Sequence, residues 1–156
     1  MDGAQHAEVR EVSFDEGYPL VEPYLRAHYE ELAVPAFRDL MTIKPALERY
    51  RQAEREGRFF SLVVLIGDAV VGYSANFLAN NLHYSDLLYC QNDVLYLSPE
   101  WRKSRLGLTL INRTVTAASM RGAKLMLWHA KYDTALDKLL ERLGYTIMDI
   151  LRAKRI

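Results

Sequence analysis

The chain has 156 residues, 50% of them hydrophobic, with 20 Lys plus Arg balanced by 20 Asp plus Glu. A length in this range favours one domain with a sizeable core, and the apolar content with no low-complexity tract excludes a disordered chain. A net charge of zero gives no general attraction to nucleic acid or anionic membrane, so any anion binding must be local.

The one cysteine, Cys90, cannot form an intramolecular disulfide, which suits a reducing compartment. The opening "MDGAQHAEVREVSFDEG" has no basic start followed by an apolar stretch, and no apolar run nears the roughly 20 residues of a membrane span. A cytoplasmic protein without a membrane partner is the expectation.

"AEVREVSF" alternates weakly and predicts a first strand. "YPLVEPYLRAHYEEL" puts Val21, Leu25, His28 and Leu32 on one helical face, and "KPALERYRQAEREG" predicts a second, more exposed helix with Pro45 in its first turn and Gly57 as its stop. "FFSLVVLI" and "AVVGYSANFLA" then read as strands joined at Gly67-Asp68, and "NNLHYSD" as a loop. "LLYCQNDVLYLS" is a strand ended by Pro99. A helix follows from about Lys103 to Arg121, with Leu108, Ile111, Val115 and Ala118 on one face and Gly122 closing it. "AKLMLWHA" reads as a short strand buried on both faces. A helix capped near Asp133 or Thr134 carries the stripe Leu136, Leu139, Leu140 and Leu143, and "YTIMDILRAK" predicts a last strand. The order β-α-α-β-β-β-α-β-α-β is an α/β fold, a mixed central sheet with helices on both faces.

The junction "LSPEWRKSRLG" carries the chemistry. A helix start exposes about four backbone N–H groups and a partial positive charge, both suited to phosphate. Here Arg102, Lys103 and Arg105 crowd that start, and the small Ser104 and Gly107 permit close approach of a ligand. Two readings stand: a cradle for a phosphorylated ligand, or a solvated basic helix start. Basic residues oppose the dipole at a helix start, which sits awkwardly with a purely structural role. Neither GxxxxGK[ST] nor GxGxxG is present, so triphosphate hydrolysis and Rossmann dinucleotide binding are poorly supported.

"LYLSPEWRKSRLGLTLI" resembles the acetyl-CoA-binding segment of the GNAT acyltransferase superfamily, a strand "LyV-x-P-E-x-R" leading into "R/Q-x-x-G-x-G/A" and a helix. "LLERLGY" is similar to that superfamily's "lYeklGF", and the order of elements fits from residue 9 to the end. "NLHYSD" and "RKSRLG" look most like small bacteriophage-associated members. The resemblance implies that the backbone of Leu95, Tyr96 and Leu97 hydrogen-bonds the pantetheine arm. It implies that Arg102, Lys103, Ser104, Arg105, Leu106, Gly107 and Leu108 wrap the pyrophosphate of acetyl-CoA, with Arg102 and Gly107 at motif positions. Arg105 stands where the motif has its middle glycine, and Leu140 where many members have the tyrosine that protonates the leaving thiolate.

Transfer to an amine also needs a group to take its proton. Strand alternation sets Gln91, Asp93, Leu95 and Leu97 on one face, which places Asp93 toward the same cleft as a base or an ammonium-binding group, or else as a carboxylate in water. His129 is a candidate base, or else a hydrogen-bonded inner residue. His83, Tyr84 and Asp86 form a loop of the kind that helps shape the acceptor pocket in the superfamily, and equally ordinary turn chemistry. Tyr18, Tyr24, Tyr29 and Tyr50 read as core and interface, and Tyr145 as packing. The histidines show no metal spacing, and one cysteine makes no zinc site.

The expectation is an N-acetyltransferase acting on a primary amine of a small molecule or protein. A GNAT-fold protein that binds CoA or a partner without turnover is the alternative. Nucleic-acid binding through "WRKSR" is disfavoured by the charge balance, and pairing of two copies through the late strands stays open.

Overall fold

The structure, a computed structural model, describes residues 6–156. Its strands are β1 (Ala7–Val12), β2 (Phe59–Ile66), β3 (Ala69–Asn80), β4 (Leu88–Leu97) and β5 (Leu125–Trp128). Its helices are α1 (Phe14–Leu32), α2 (Leu47–Arg55), α3 (Leu106–Met120) and α4 (Ala135–Arg142), with 3-10 turns at Pro35–Phe37 and Pro99–Trp101. One mixed sheet runs in the order β1-β2-β3-β4-β5. Its first four strands are antiparallel, and β5 lies parallel to β4 after the α3 crossover. The mixed α/β fold expected from the sequence is the fold observed.

Alternation in β2 feeds both layers of the core. Val63 and Leu65 join Tyr73 and Tyr96 beneath Val21, Tyr24 and Leu25 of α1. Leu62, Val64 and Ile66 face the other way, onto Leu110 of α3. The buried face of α3 is Leu110, Ile111, Thr114 and Ala118. Thr114 turns inward in place of the expected Val115 because its hydroxyl donates to the Leu110 carbonyl at 2.8 Å and lies within hydrogen-bond distance of Ser74 Oγ, at 3.0 Å.

Boundaries shift where caps decide them. α1 starts at Phe14, ahead of Tyr18, since Ser13 Oγ accepts from the Glu16 amide at 3.2 Å. α2 starts at Leu47, which leaves Pro45 outside the helix. β5 is shorter than expected and half-buried, because it is an edge strand with β4 as its one neighbour.

The predicted last strand is absent. Residues 145–156 take no regular structure, and Ile147, Met148, Ile150 and Leu151 are exposed. Apolar alternation marks residues able to pair but does not supply an edge within reach. The four-residue β5 is a short template, and Arg155 instead ion-pairs with Asp39 at 2.6 Å. No described helix is long and apolar enough to cross a membrane.

Candidate functional site

β4 is not a regular strand. Ala75 pairs with Val94 and Asn76 with Asn92, which leaves Asp93 as an extra, unpaired residue in a β-bulge. The bulge resets the alternation. Val94 and Tyr96 join the cluster under α1, while Leu95 and Leu97 join the cluster under α3. The expected face shared by Asp93, Leu95 and Leu97 therefore does not exist, because one inserted residue separates Asp93 from the others.

Buried amides hold the bulge. Asn92, 2% exposed, donates from Nδ2 to the Val94 carbonyl at 3.0 Å and the Ala75 carbonyl at 3.2 Å. The same group reaches Asn76 Oδ1 at 2.9 Å, and Asn76 in turn donates to Ser74 Oγ at 2.9 Å. A strand interrupted by a bulge leaves carbonyls without ladder partners, and a buried amide meets that need.

Aimed out of the sheet by the bulge, the Asp93 carboxylate meets α2. The Tyr50 hydroxyl donates to Asp93 Oδ2 at 2.7 Å. Burial pushes the Tyr50 phenol well above its ordinary value, and the Asp93 charge adds to the rise, so the proton stays on Tyr50. The Tyr50 ring is fixed by stacking on Phe14 and by edge contact with Phe59. Two cavities meet at this pair. A narrow one of about 80 Å³ runs under α1 between Phe14, Tyr18, Val21, Phe59 and Val94. A wider one of about 580 Å³ runs along α2 between Lys44, Arg49, Gln52 and Arg58. Pro45, Tyr50 and Asp93 line both.

The other side of β4 is open at its end. Its pairing with β5 runs from Tyr89 opposite Leu125 to Asn92 opposite Trp128 and stops there. From Asp93 to Leu97, β4 is flanked by β3 alone. His129 follows Trp128 as Asp93 follows Asn92, so the two candidate proton-handling residues stand at the mouth where the strands part. His129 is exposed and not an inner residue. The buried Trp128 indole N–H beside this mouth has no acceptor among the described residues.

Beyond β4, Pro99–Trp101 turns the chain into α3. The Leu106 amide is bonded by Ser104 Oγ at 3.2 Å, while the amides of Lys103, Arg105, Gly107 and Leu108 have no protein acceptor among the described residues. A Cβ built on Gly107 would lie 3.7 Å from Leu97 Cδ2, which points that glycine at the open end of β4. Free amides, a helix start and an open strand edge thus converge, and they fit a phosphate-bearing carrier.

Arg102 departs from its expected place in the cradle. Its guanidinium donates to the Leu97 carbonyl at 2.7 Å and grips both Glu31 oxygens at 2.7 Å. It lies 5.7 Å from the centre of the Tyr96 ring. Side-chain demand at the end of β4 has taken the guanidinium that the motif position suggested for phosphate, so Arg102 ties β4 to α1. Lys103 and Arg105 remain exposed and form no ion pair among the described residues.

His83, Tyr84 and Asp86 sit in the β3–β4 loop, where the His83 and Tyr84 amides close on Asn81 Oδ1 at 2.8 and 3.0 Å. Five strand positions separate Leu88 from Asp93, about 17 Å at strand spacing. The structure does not bring this loop to Asp93 within one chain. Leu140 is buried at 6% exposure and has no proton to give. Tyr145 sets its ring edgewise on Trp128, as the packing expectation had it. Tyr50, read from the sequence as core and interface, is the site residue that the sequence did not assign to the chemistry. Its contact with Asp93 spans 43 positions, beyond any local pattern.

This architecture is shared. An aminoglycoside acetyltransferase, meta-AAC0020, from an uncultured soil metagenomic sample superposes with a TM-score of 0.73 at 15% identity, over 96% of this chain and 95% of that one. A GCN5-related N-acetyltransferase from Ralstonia eutropha JMP134 gives 0.74 at 20% identity, over 97% and 99%. A ribosomal-protein-alanine N-acetyltransferase from Brucella melitensis biovar Abortus 2308 gives 0.70 at 14% identity, over 97% and 99%. At such identities the likeness is one of fold. No curated protein sequence matches the chain. The sequence model described as the Acetyltransferase (GNAT) family matches residues 15–145, and the chain belongs to that family.

Proposed function

We propose that the protein transfers an acetyl group from acetyl-CoA to a primary amine, with the amine held at Asp93. The observation that carries this is the convergence at the end of β4: a strand flanked on one side from Asp93 to Leu97, unbonded amides at Lys103, Arg105, Gly107 and Leu108, and a bulged carboxylate between them and two cavities. Acetyl-CoA supplies an activated acyl carbon and a diphosphate that suits free amides at a helix start.

The residues divide the work. The backbone of Leu95, Tyr96 and Leu97 borders the channel for the carrier's arm, and the turn from Lys103 to Leu108 receives its phosphates. Asp93, with one oxygen occupied by Tyr50, keeps the other for an ammonium group. His129 stands across the mouth to accept the proton that the attacking nitrogen must lose. Leu140 cannot return a proton, so water at the open mouth does. Kinship with bacteriophage-associated members rests on "NLHYSD" and "RKSRLG" alone. Two copies would pair through the free edge of β5, with the exposed Ile147, Ile150 and Leu151 as further apolar surface.

Calorimetry with acetyl-CoA and a CoA-release assay over a panel of amines test the proposal. Micromolar binding with release on at least one amine is expected. Failure to bind sinks it, and binding without release on any amine leaves a carrier-binding protein.

A further inference from the structure

We infer that the acceptor is an amine that also carries an oxyanion, with the ammonium at Asp93 and the oxyanion against Lys44 and Arg49. The inference rests on the acetyl-transfer reading of the same site and names the class of molecule that the site selects.

The wider cavity along α2 decides the class. Lys44, Arg49 and Arg58 line it, and Asp93 is the one carboxylate among its lining residues. Arg58 is occupied, its Nε donating to Glu56 at 2.8 Å. Lys44 and Arg49 bond to no carboxylate among the described residues, although the neighbouring Arg51 and Arg55 are engaged by Asp15 and Glu48. Arg49 lies near enough to the Tyr50 hydroxyl for its charge to favour the phenolate, against the stronger push of burial and Asp93. A groove of about 580 Å³ is thus lined by two cations that bond to no carboxylate among the described residues and by the single carboxylate of Asp93.

A ligand bearing only positive charges would gain at Asp93 and lose along the rest of the groove. A ligand that carries both an amine and an oxyanion answers both signs of charge in the lining, through charge-assisted hydrogen bonds. The narrow cavity under α1 is about 80 Å³, roughly half of a 150 Å³ apolar cavity that accommodates benzene. It suits a short aliphatic branch better than a ring. The acceptor body therefore lies in the polar groove, with its amine turned toward the bulge.

The test uses matched pairs that share the amine and differ in the anion. ω-Amino carboxylates of three to six carbons are compared with their primary amides, phosphoethanolamine with ethanolamine, and spermidine serves as a polycation. With acetyl-CoA present, kcat/KM for the best anionic member should exceed that of its neutral partner by about tenfold or more, the scale of one charge-assisted contact. The preference should collapse toward unity in the Lys44→Ala, Arg49→Ala double variant through KM, while the neutral partner is little changed. Whether carboxylate or phosphate is preferred identifies the anion. Equal or better turnover of amides or spermidine overturns the inference and leaves acetyl transfer standing. Calorimetry in the absence of turnover gives an independent readout. Tighter binding of the anionic member, lost in Arg49→Glu, supports the inference, and equal binding of both members overturns it. Absence of acetylation on every amine counts against the transfer reaction alone.

Discussion

Asn92 bonds to the Val94 carbonyl two residues along its own strand, at 3.0 Å, and so clamps the bulge that turns Asp93 out of the sheet. The same amide reaches the Ala75 carbonyl on β3, which ties both strands at that point. Replacing Asn92 by Leu leaves those two carbonyls and Asn76 Oδ1 without their donor. Unfolding in urea should show a loss of about 2–4 kcal/mol. Residual folded Asn92→Leu protein should turn over more slowly, since the bulge loses its clamp.

Asp93 itself is exposed, so Asp93→Asn should leave stability within about 0.5 kcal/mol. Its Oδ can still accept from Tyr50. Turnover on amines should fall by roughly 10- to 100-fold, the scale of a lost charge-assisted contact to the ammonium. A steady-state assay showing less than a threefold fall would remove Asp93 from the chemistry.

Tyr50→Phe keeps the aromatic stack and deletes one hydrogen bond to a charged acceptor. The expected outcome is a fall in kcat/KM of about tenfold, with loss of stability near 1 kcal/mol. Since the Tyr50 phenol is raised above its ordinary range by burial and by Asp93, wild-type activity should show no alkaline limb from this group up to pH 10.

At the cradle, Gly107→Trp should weaken acetyl-CoA binding at least tenfold by filling the space beside Leu97. Arg102→Ala and Glu31→Gln should weaken it by similar, smaller factors, and the double variant should be no worse than either alone. That pattern follows from a guanidinium committed to Glu31 and Leu97. Were Arg102 a phosphate ligand, Glu31→Gln would free it and tighten binding. Calorimetry on the four proteins distinguishes the two.

His28 gives a pH signature. Burial holds its imidazole below the ordinary value, with Glu31 opposing and Arg102 assisting. The unfolded chain therefore takes up a proton that the folded chain resists. Stability from this group is present above about pH 6.5 and is lost as pH falls toward and through the lowered value. Thermal melts should show that slope in the wild type and a flatter one in His28→Gln.

The sequence made the sheet legible because β2 is almost wholly apolar, and rich in aromatic and β-branched residues. The cradle was legible for a similar reason: Pro99, the basic run and Gly107 lie within nine positions of one another. Asp93 was found, but for a face it does not occupy. Counting by twos holds only for an unbroken ladder, and a single extra residue reverses every side chain beyond it. The polar triplet "QND" in an otherwise apolar strand was the available signal, since a buried Asn in a ladder commonly serves a break in it. The last strand was over-read from side chains alone, and Arg102 was over-read from its motif position, with no sight of Glu31 on a helix 71 residues away.

α1 covers the face of the sheet beneath Val94 and Tyr96, and α3 begins on the opposite face beneath Leu95 and Leu97. On the proposed reading, donor and acceptor would have separate doorways, joined by the slit where β4 outruns β5. Binding order would then be free, and each product should compete only with the substrate that shares its door. Dead-end inhibition kinetics carry that imprint directly.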